Sequence, residues 1–210
     1  MAGLIHGLDP VKICANLERV REHAGERVEI LAATKYVPLE EMGALAEAGI
    51  EIVGENRLQE LEAKHERWSE QFTWDFIGAV QSRKVKRILP LVRLIHSIDS
   101  DSALARLETH AEGGIEVLVE VNVAGEEGKG GVAPAELGEF IERCPARVGG
   151  LMTMPPFSLD PEASRPHFAR LAELAGGHGL ERLSMGTSQD WAVAVEEGAT
   201  IIRLGTALYA

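Results

Sequence analysis

The sequence predicts an α/β fold: a single (β/α)8 barrel spanning residues 1–210, with one extra helix ahead of its first strand. Three observations predict it. Short apolar runs alternate with amphipathic stretches along the whole chain. About eight such runs occur, each separated from the next by a helical pattern, which implies parallel strands joined by right-handed crossovers. Eight units of that kind close most economically as a barrel. A doubly wound open sheet is the alternative, weakened because no G-x-G-x-x-G follows the first strand.

The elements follow in order. Asp9-Pro10 opens the extra helix, since Asp can cap and Pro fits the first turn. Residues 28–35 (VEILAATK) read as a strand and 38–49 as a helix with an early acidic pair and a terminal glycine. Strands are expected at 50–54, 73–78, 91–98, 115–123, 148–154, 182–185 and 200–204. Helices are expected between them at 56–69, 82–89, 99–113, 134–144, 161–176 and 189–198. Little chain follows the last strand, so the extra N-terminal helix is expected to cover the gap left by a missing eighth outer helix.

Composition narrows the function. The 210 residues are 45% hydrophobic and 26% charged, which excludes wholesale disorder. No apolar run approaches the ~18 residues of a membrane span, and MAGLIHGLDP does not read as a signal peptide. A formal charge of −12 argues against nucleic-acid and anionic-membrane surfaces while leaving room for a local anion pocket. Cys14 and Cys144 lie far apart without zinc spacing, so they read as buried thiols in the cytoplasm, and no metal site is expected. No repeat or Pro/Ser-rich linker divides the chain.

Only six of the 21 basic residues are lysines, which makes each of them informative. In a parallel barrel ligands bind at the carboxyl ends of the strands, and Lys35 ends the run ILAATK. Ala32 and Ala33 leave room around it, and loss of solvation there would favour the neutral, nucleophilic amine that Schiff-base chemistry needs. The alternative is a solvated loop lysine. Lys12, Lys64, Lys84 and Lys86 lie in helical or charged stretches and read as surface residues. Lys129, in GEEGKGG, has the wrong spacing for a P-loop and reads as a cation in a flexible loop near the mouth.

Near the C-terminus, Gly186-Thr187-Ser188 joins a strand to a helix start, a place where backbone N–H groups and hydroxyls can meet an anion. Gly205-Thr206 could complete that cup after the last strand, where many barrels bind phosphate. Thr187 or Ser188 could equally cap a helix. Arg203 interrupts the apolar strand TIIRLG, and alternation turns it to the lumen or mouth. There it needs either a structural ion-pair partner or a ligand acceptor. An amine, a phosphate cup and an inward arginine together are the parts that hold pyridoxal 5′-phosphate (PLP).

The chain resembles the pyridoxal phosphate homeostasis protein family, whose members look like the barrel half of alanine racemase. Matching stretches are AATKYVP, GENRLQE, WDFIGAVQSRK, VNVAGEEGKGG, GLMTMPP, LSMGTSQDW and IRLGTALYA, together with the run 97–101. The resemblance implies that Lys35 carries PLP as a Schiff base and that Asn56 lies beside it. It also implies that Ser188, Gly205 and Thr206 hold the phosphate, next to Gly186 and Thr187, and that Arg203 approaches the ring nitrogen. Departures are Thr187 for the usual Met, Val80 for a common Leu, Arg83 for a common Asn, and the ending LYA. The function implied is storage, buffering or delivery of PLP in vitamin B6 homeostasis, with no residue assigned a catalytic role. PLP-dependent apoenzymes and other B6 vitamers are the expected partners, and the chain is expected to be a monomer. Two other readings are an amino-acid racemase-like enzyme and a cofactor-free Schiff-base lyase using Lys35. Racemization needs a second base, and neither Tyr36 nor Tyr209 stands out in the sequence for that role.

Overall fold

The computed structural model describes residues 3–111 and 114–210. The chain runs α1 (Pro10–Ala24), β1 (Glu29–Ala33), α2 (Met42–Glu47), β2 (Ile52–Glu55), α3 (Leu58–Trp68), β3 (Thr73–Phe76), α4 (Val85–Ile88), β4 (Leu94–Ile98), α5 (Asp101–His110) and β5 (Glu116–Glu120). It continues with α6 (Leu137–Arg143), β6 (Arg147–Met152), α7 (Arg165–Gly177), β7 (Arg182–Thr187), α8 (Trp191–Glu196), β8 (Ile201–Leu204) and α9 (Thr206–Tyr209). The strands form a closed barrel in sequence order, every pairing parallel, with β8 returning to β1 through Ile30↔Ile202 and Leu31↔Arg203. The predicted (β/α)8 fold is observed.

Alternation along each strand divides the core in two. Leu31, Leu94, Leu118, Met152 and Ile201 form a small cluster that fills the lumen. Their neighbours Ile30, Ile95, Val117, Val119, Ile202 and Leu204 belong to the larger cluster shared with the helices. The helix α1 starts as expected: Asp9 Oδ1 accepts from the Val11 and Lys12 amides at 2.9 and 3.4 Å, and Pro10 takes the first position. It packs against α2, α8 and the one-turn α9, covering the gap between β8 and β1. Buried Asn16 fixes that seat by donating to the carbonyls of Leu208 and Ala210 at 3.0 and 3.1 Å.

Several expected elements are shorter in the structure. The strand predicted to Val123 ends at Glu120, because the Asn122 side chain folds the following chain into a turn by pairing with the Glu126 backbone at 2.9 and 3.1 Å. The predicted helix 82–89 breaks into 3-10 turns on either side of a single α turn. The helix predicted over 99–113 starts at Asp101, without a side-chain cap, and its predicted last two residues lie outside the described residues.

Replacing Asn16 by Ala strips the buried Leu208 carbonyl and the partly buried Ala210 carbonyl of their donor. It should destabilise the fold by roughly 1–3 kcal/mol, read as a lower urea midpoint with an unchanged slope.

Candidate functional site at the barrel mouth

A cavity of about 440 Å³ opens at the carboxyl ends of the strands. Its walls include Lys35, Asn56, Thr187, Ser188, Arg203, Gly205 and Thr206, which are all the residues singled out from the sequence except Gly186. Gly186 acts from behind the wall. Its φ of +90° suits glycine, and a Cβ there would lie 2.6 Å from that of Ala194.

Lys35 sits two residues beyond β1, in a turn, and is exposed rather than desolvated as expected: Ala33 widens the mouth instead of burying the amine. Its Nζ lies 5.0 Å from the centre of the Tyr36 ring. Among the described residues no carboxylate pairs with it. The turn beneath is tightly held. Lys64 Nζ donates to the Thr34 carbonyl at 2.9 Å and to Glu55 Oε1 at 2.5 Å, and Thr34 Oγ1 donates to the same Glu55 oxygen at 2.7 Å. Lys64 is only 1% exposed, which corrects its reading as a surface lysine. The signal was its spacing: Leu58, Leu61 and Lys64 share the buried face of α3.

Asn56 follows Glu55, and its Oδ1 is buried without a protein partner. Gly78 allows this stretch to approach closely, since a Cβ there would meet the Asn56 carbonyl oxygen at 2.1 Å. Ser97, another strand-exit residue, donates its hydroxyl to the Gly78 carbonyl.

Arg203 is 6% exposed and faces the lumen as alternation requires, with Ile202 and Leu204 on the outer face. It donates to Ser184 Oγ at 2.5 Å and to the Thr153 carbonyl at 2.9 Å, with Met154 Sδ also at 2.9 Å. Among the described residues it has no salt-bridge partner, so a structural ion pair does not account for it. Burial pushes the guanidinium down to about 10, opposed by Glu120 and Asp190. Ser184 leads on to His96, which is fully buried and held below the ordinary imidazole value by burial, despite its contact with Asp75.

Thr187, Ser188, Gly205 and Thr206 meet at the cavity wall, but several of their polar groups are already committed. Asp190 Oδ1 accepts from the Thr187 amide and hydroxyl at 2.7 and 3.0 Å. Ser188 Oγ accepts from the Gly205 and Ala207 amides at 3.0 and 3.1 Å, so it caps α9 rather than the helix that follows it in sequence. With both lone pairs engaged, its hydroxyl hydrogen is left to donate outward. The Gly205 amide does not face the cavity as a free donor.

Glu120 escaped the sequence reading, and Tyr36 and Tyr209 were set aside there, yet all three line the cavity. Glu120 carries a carboxyl raised by burial and by Asp99, partly offset by Arg203 and Lys129. Tyr36 and Tyr209 both line the cavity, and Tyr209 donates to the Ala33 carbonyl at 3.2 Å. Burial and nearby Glu55 raise the Tyr209 phenol. Lys129 is not a free loop cation: it binds Glu126 at 2.5 Å and the Met154 carbonyl at 3.0 Å, tying the loop after β5 to the chain after β6.

Barrel, wall lysine and lumen arginine together define the alanine racemase-type barrel class. The alanine racemase N-terminal domain family matches residues 8–210. The chain is 40% identical to the pyridoxal phosphate homeostasis protein of Aquifex aeolicus over 94% of each chain, and 36% identical to that of Pseudomonas aeruginosa, covering 94% of this chain and 92% of the relative. This chain therefore belongs to the pyridoxal phosphate homeostasis protein family. Among solved structures it resembles PipY of Synechococcus elongatus with PLP bound, at 31% identity and a TM-score of 0.82, covering 94% of this chain and 100% of PipY. The alanine racemase of Corynebacterium glutamicum shares the fold alone, at 17% identity and a TM-score of 0.77, over 100% of this chain and 63% of the racemase. Among the described residues no helix is long and apolar enough to cross a membrane.

Two outcomes follow from the buried groups. Lys64→Met leaves Glu55 buried and unpaired and should cost about 3–5 kcal/mol; a Lys64→Met/Glu55→Gln pair should recover part of that in urea melts. The imidazole of His96 is faced by Asp75, Ser184, Arg203 and Arg93. Its depressed value means that below pH 6.5 the unfolded chain takes up a proton there before the folded one does. Stability from this group is therefore complete above pH 6.5 and lost as pH falls below it. Wild type should lose more melting temperature between pH 7 and pH 5 than His96→Gln does.

Proposed function

We propose that the mouth cavity binds PLP and that the protein holds, buffers and delivers the cofactor in vitamin B6 homeostasis without robust catalysis. The observation that carries this reading is Lys35, a free amine on the wall of a cavity that also presents Arg203, Asn56 and Ser188. The groups left unsatisfied fit the ligand. The Asn56 amide oxygen has no protein partner, Arg203 is a buried cation without a carboxylate, and the Ser188 hydroxyl has a hydrogen to give. Lys35 would hold the aldehyde through a Schiff base. Ser188 and Thr206 would hold the phosphate, with Gly186, Thr187 and Gly205 shaping the cup, and Arg203 would meet the ring nitrogen. When bound, the cofactor supplies an electrophilic carbonyl and an electron-accepting ring.

The chain's own residues favour retention over turnover. A racemase needs a group that moves a proton near working pH. Tyr209 donates to the Ala33 carbonyl and its phenol is raised by burial, so it is a poor base. We further assign the 210 residues to one domain acting as a monomer in the cytoplasm, where Cys14 and Cys144 stay as free thiols, with PLP-dependent apoenzymes as recipients.

The purified protein should gain a visible absorption band with PLP. Borohydride reduction and peptide mapping should place the label on Lys35, and Lys35→Ala should lose the band. A protein that stays colourless would overturn the reading, and amino-acid turnover at enzyme-like rates would overturn the carrier role.

A further inference from the structure

The barrel lumen contains a continuous line of buried polar groups from mouth to floor. Arg203 Nη1 donates to Ser184 Oγ at 2.5 Å, and His96 Nδ1 lies 2.8 Å from the same oxygen. His96 Nε2 lies 3.1 Å from Asp75 Oδ2. Arg93 grips the Asp75 carboxylate from below, Nε to Oδ1 at 3.1 Å and Nη2 to Oδ2 at 2.8 Å. Ser184, His96 and Asp75 are all fully buried. They come from β7, β4 and β3, so the line crosses the lumen rather than following one strand.

Only one arrangement of hydrogens satisfies every member. Asp75, paired with Arg93, can only accept, so the His96 proton must sit on Nε2. Nδ1 is then bare and accepts the Ser184 hydroxyl hydrogen. That turns the Ser184 oxygen lone pairs towards Arg203, a donor with nothing to accept. From Arg203 to Asp75 each hydrogen points towards the floor, and Arg93 donates to the same carboxylate from the other side. Arg203, which lacks a carboxylate of its own, is thus fixed by a chain of acceptors ending on an anion. With Ser184 and the Thr153 carbonyl holding two guanidinium nitrogens, the remaining N–H groups have one orientation at the cavity wall.

We propose that His96 is a positioning residue for the cofactor, acting through Ser184 to fix the face that Arg203 presents to the ring nitrogen, with Asp75 setting the tautomer. The inference rests on the reading of the mouth cavity as a PLP site. His96 does not line the cavity, so any effect on a bound ligand would pass through Ser184.

The test compares full-length wild type with Ser184→Ala and His96→Gln, each incubated with PLP. Borohydride labelling of Lys35 reads the site itself, and should occur in all three. PLP titration and the position of the visible band read the relay. Both variants should bind PLP at least about tenfold more weakly, the size of one hydrogen bond to a charged group, with a displaced band. The double variant should be little worse than either single one, because the line is broken once. Ser184→Ala removes one atom and keeps the proposal testable should His96→Gln fold poorly. Variants whose affinity and band match wild type while only the apo melting temperature falls would make His96 a packing residue and overturn the proposal. A wild type that takes no label at Lys35 would instead overturn the PLP reading itself, and the proposal with it.

Discussion

The pairing of β8 with β1 is the constraint on which the rest of the structure depends. It sets Leu31 beside Arg203 and brings the two ends of the chain to one rim. Lys35 leaves the first strand and Arg203 lies in the last, so they share a cavity only because the sheet closes. Parallel pairing throughout then puts all eight strand exits on the same face. Closure must itself be protected, and among the described residues only the one-turn α9 follows β8 there. The helix α1 supplies that cover, and Asn16 latches it to the carbonyls of Leu208 and Ala210.

Inside the closed sheet the lumen is layered by charge. At the floor, Glu29 is bridged by Arg93 and Arg182, and Glu116 by Arg147 and Arg182. Burial alone would raise the Glu29 carboxyl, but hydrogen bonds from Arg93 and Arg182 bring it below the ordinary value. Above lies the apolar layer of Leu31, Leu94, Leu118, Met152 and Ile201. The mouth is again polar, with Arg203 facing Glu120 and the cavity. A buried cation at the top of an apolar layer needs acceptors that do not neutralise it, or a ligand would find nothing to bind. Ser184 and two backbone or thioether acceptors meet that requirement.

The parts of this arrangement that follow from period and punctuation were legible in the sequence. Strand alternation turned Arg203 inward, and the Asp-Pro pair opened α1. Lys35 was found because it ends an apolar run and lysines are few. Lys64 was hidden because α3 is rich in Glu and Arg, and a charged residue in such a helix reads as solvated. Its burial depends on Glu55 arriving from β2, a tertiary fact that no local pattern carries. His96 had a signal in its spacing from Leu94, yet its partners come from β3 and β7. The sequence placed Thr187, Ser188, Gly205 and Thr206 at neighbouring strand exits, and they do share the cavity wall, but their bonds were not legible. Which amides remain free depends on Asp190 and Ser188, whose choices are made across loops.

The lysines show how chemistry can be directed without a special residue type. Lys64 and Lys129 each spend their Nζ on a carboxylate and a carbonyl. For either to attack an aldehyde, bonds that hold the turn under Lys35 or the loop after β5 would have to break. Those two amines are therefore structural as well as basic, and their reaction would cost local order. Among the described residues the Lys35 amine makes no hydrogen bond and lies 5.0 Å from the centre of the Tyr36 ring, so its reaction would break no hydrogen bond there. Of these three lysines, Lys35 is therefore the one whose amine is uncommitted among the described residues. The same logic explains why the buried Lys64–Glu55 pair sits directly beneath the candidate nucleophile. It fixes the Thr34 carbonyl and hydroxyl, and so fixes the backbone from which Lys35 projects, while leaving the Lys35 amine itself free.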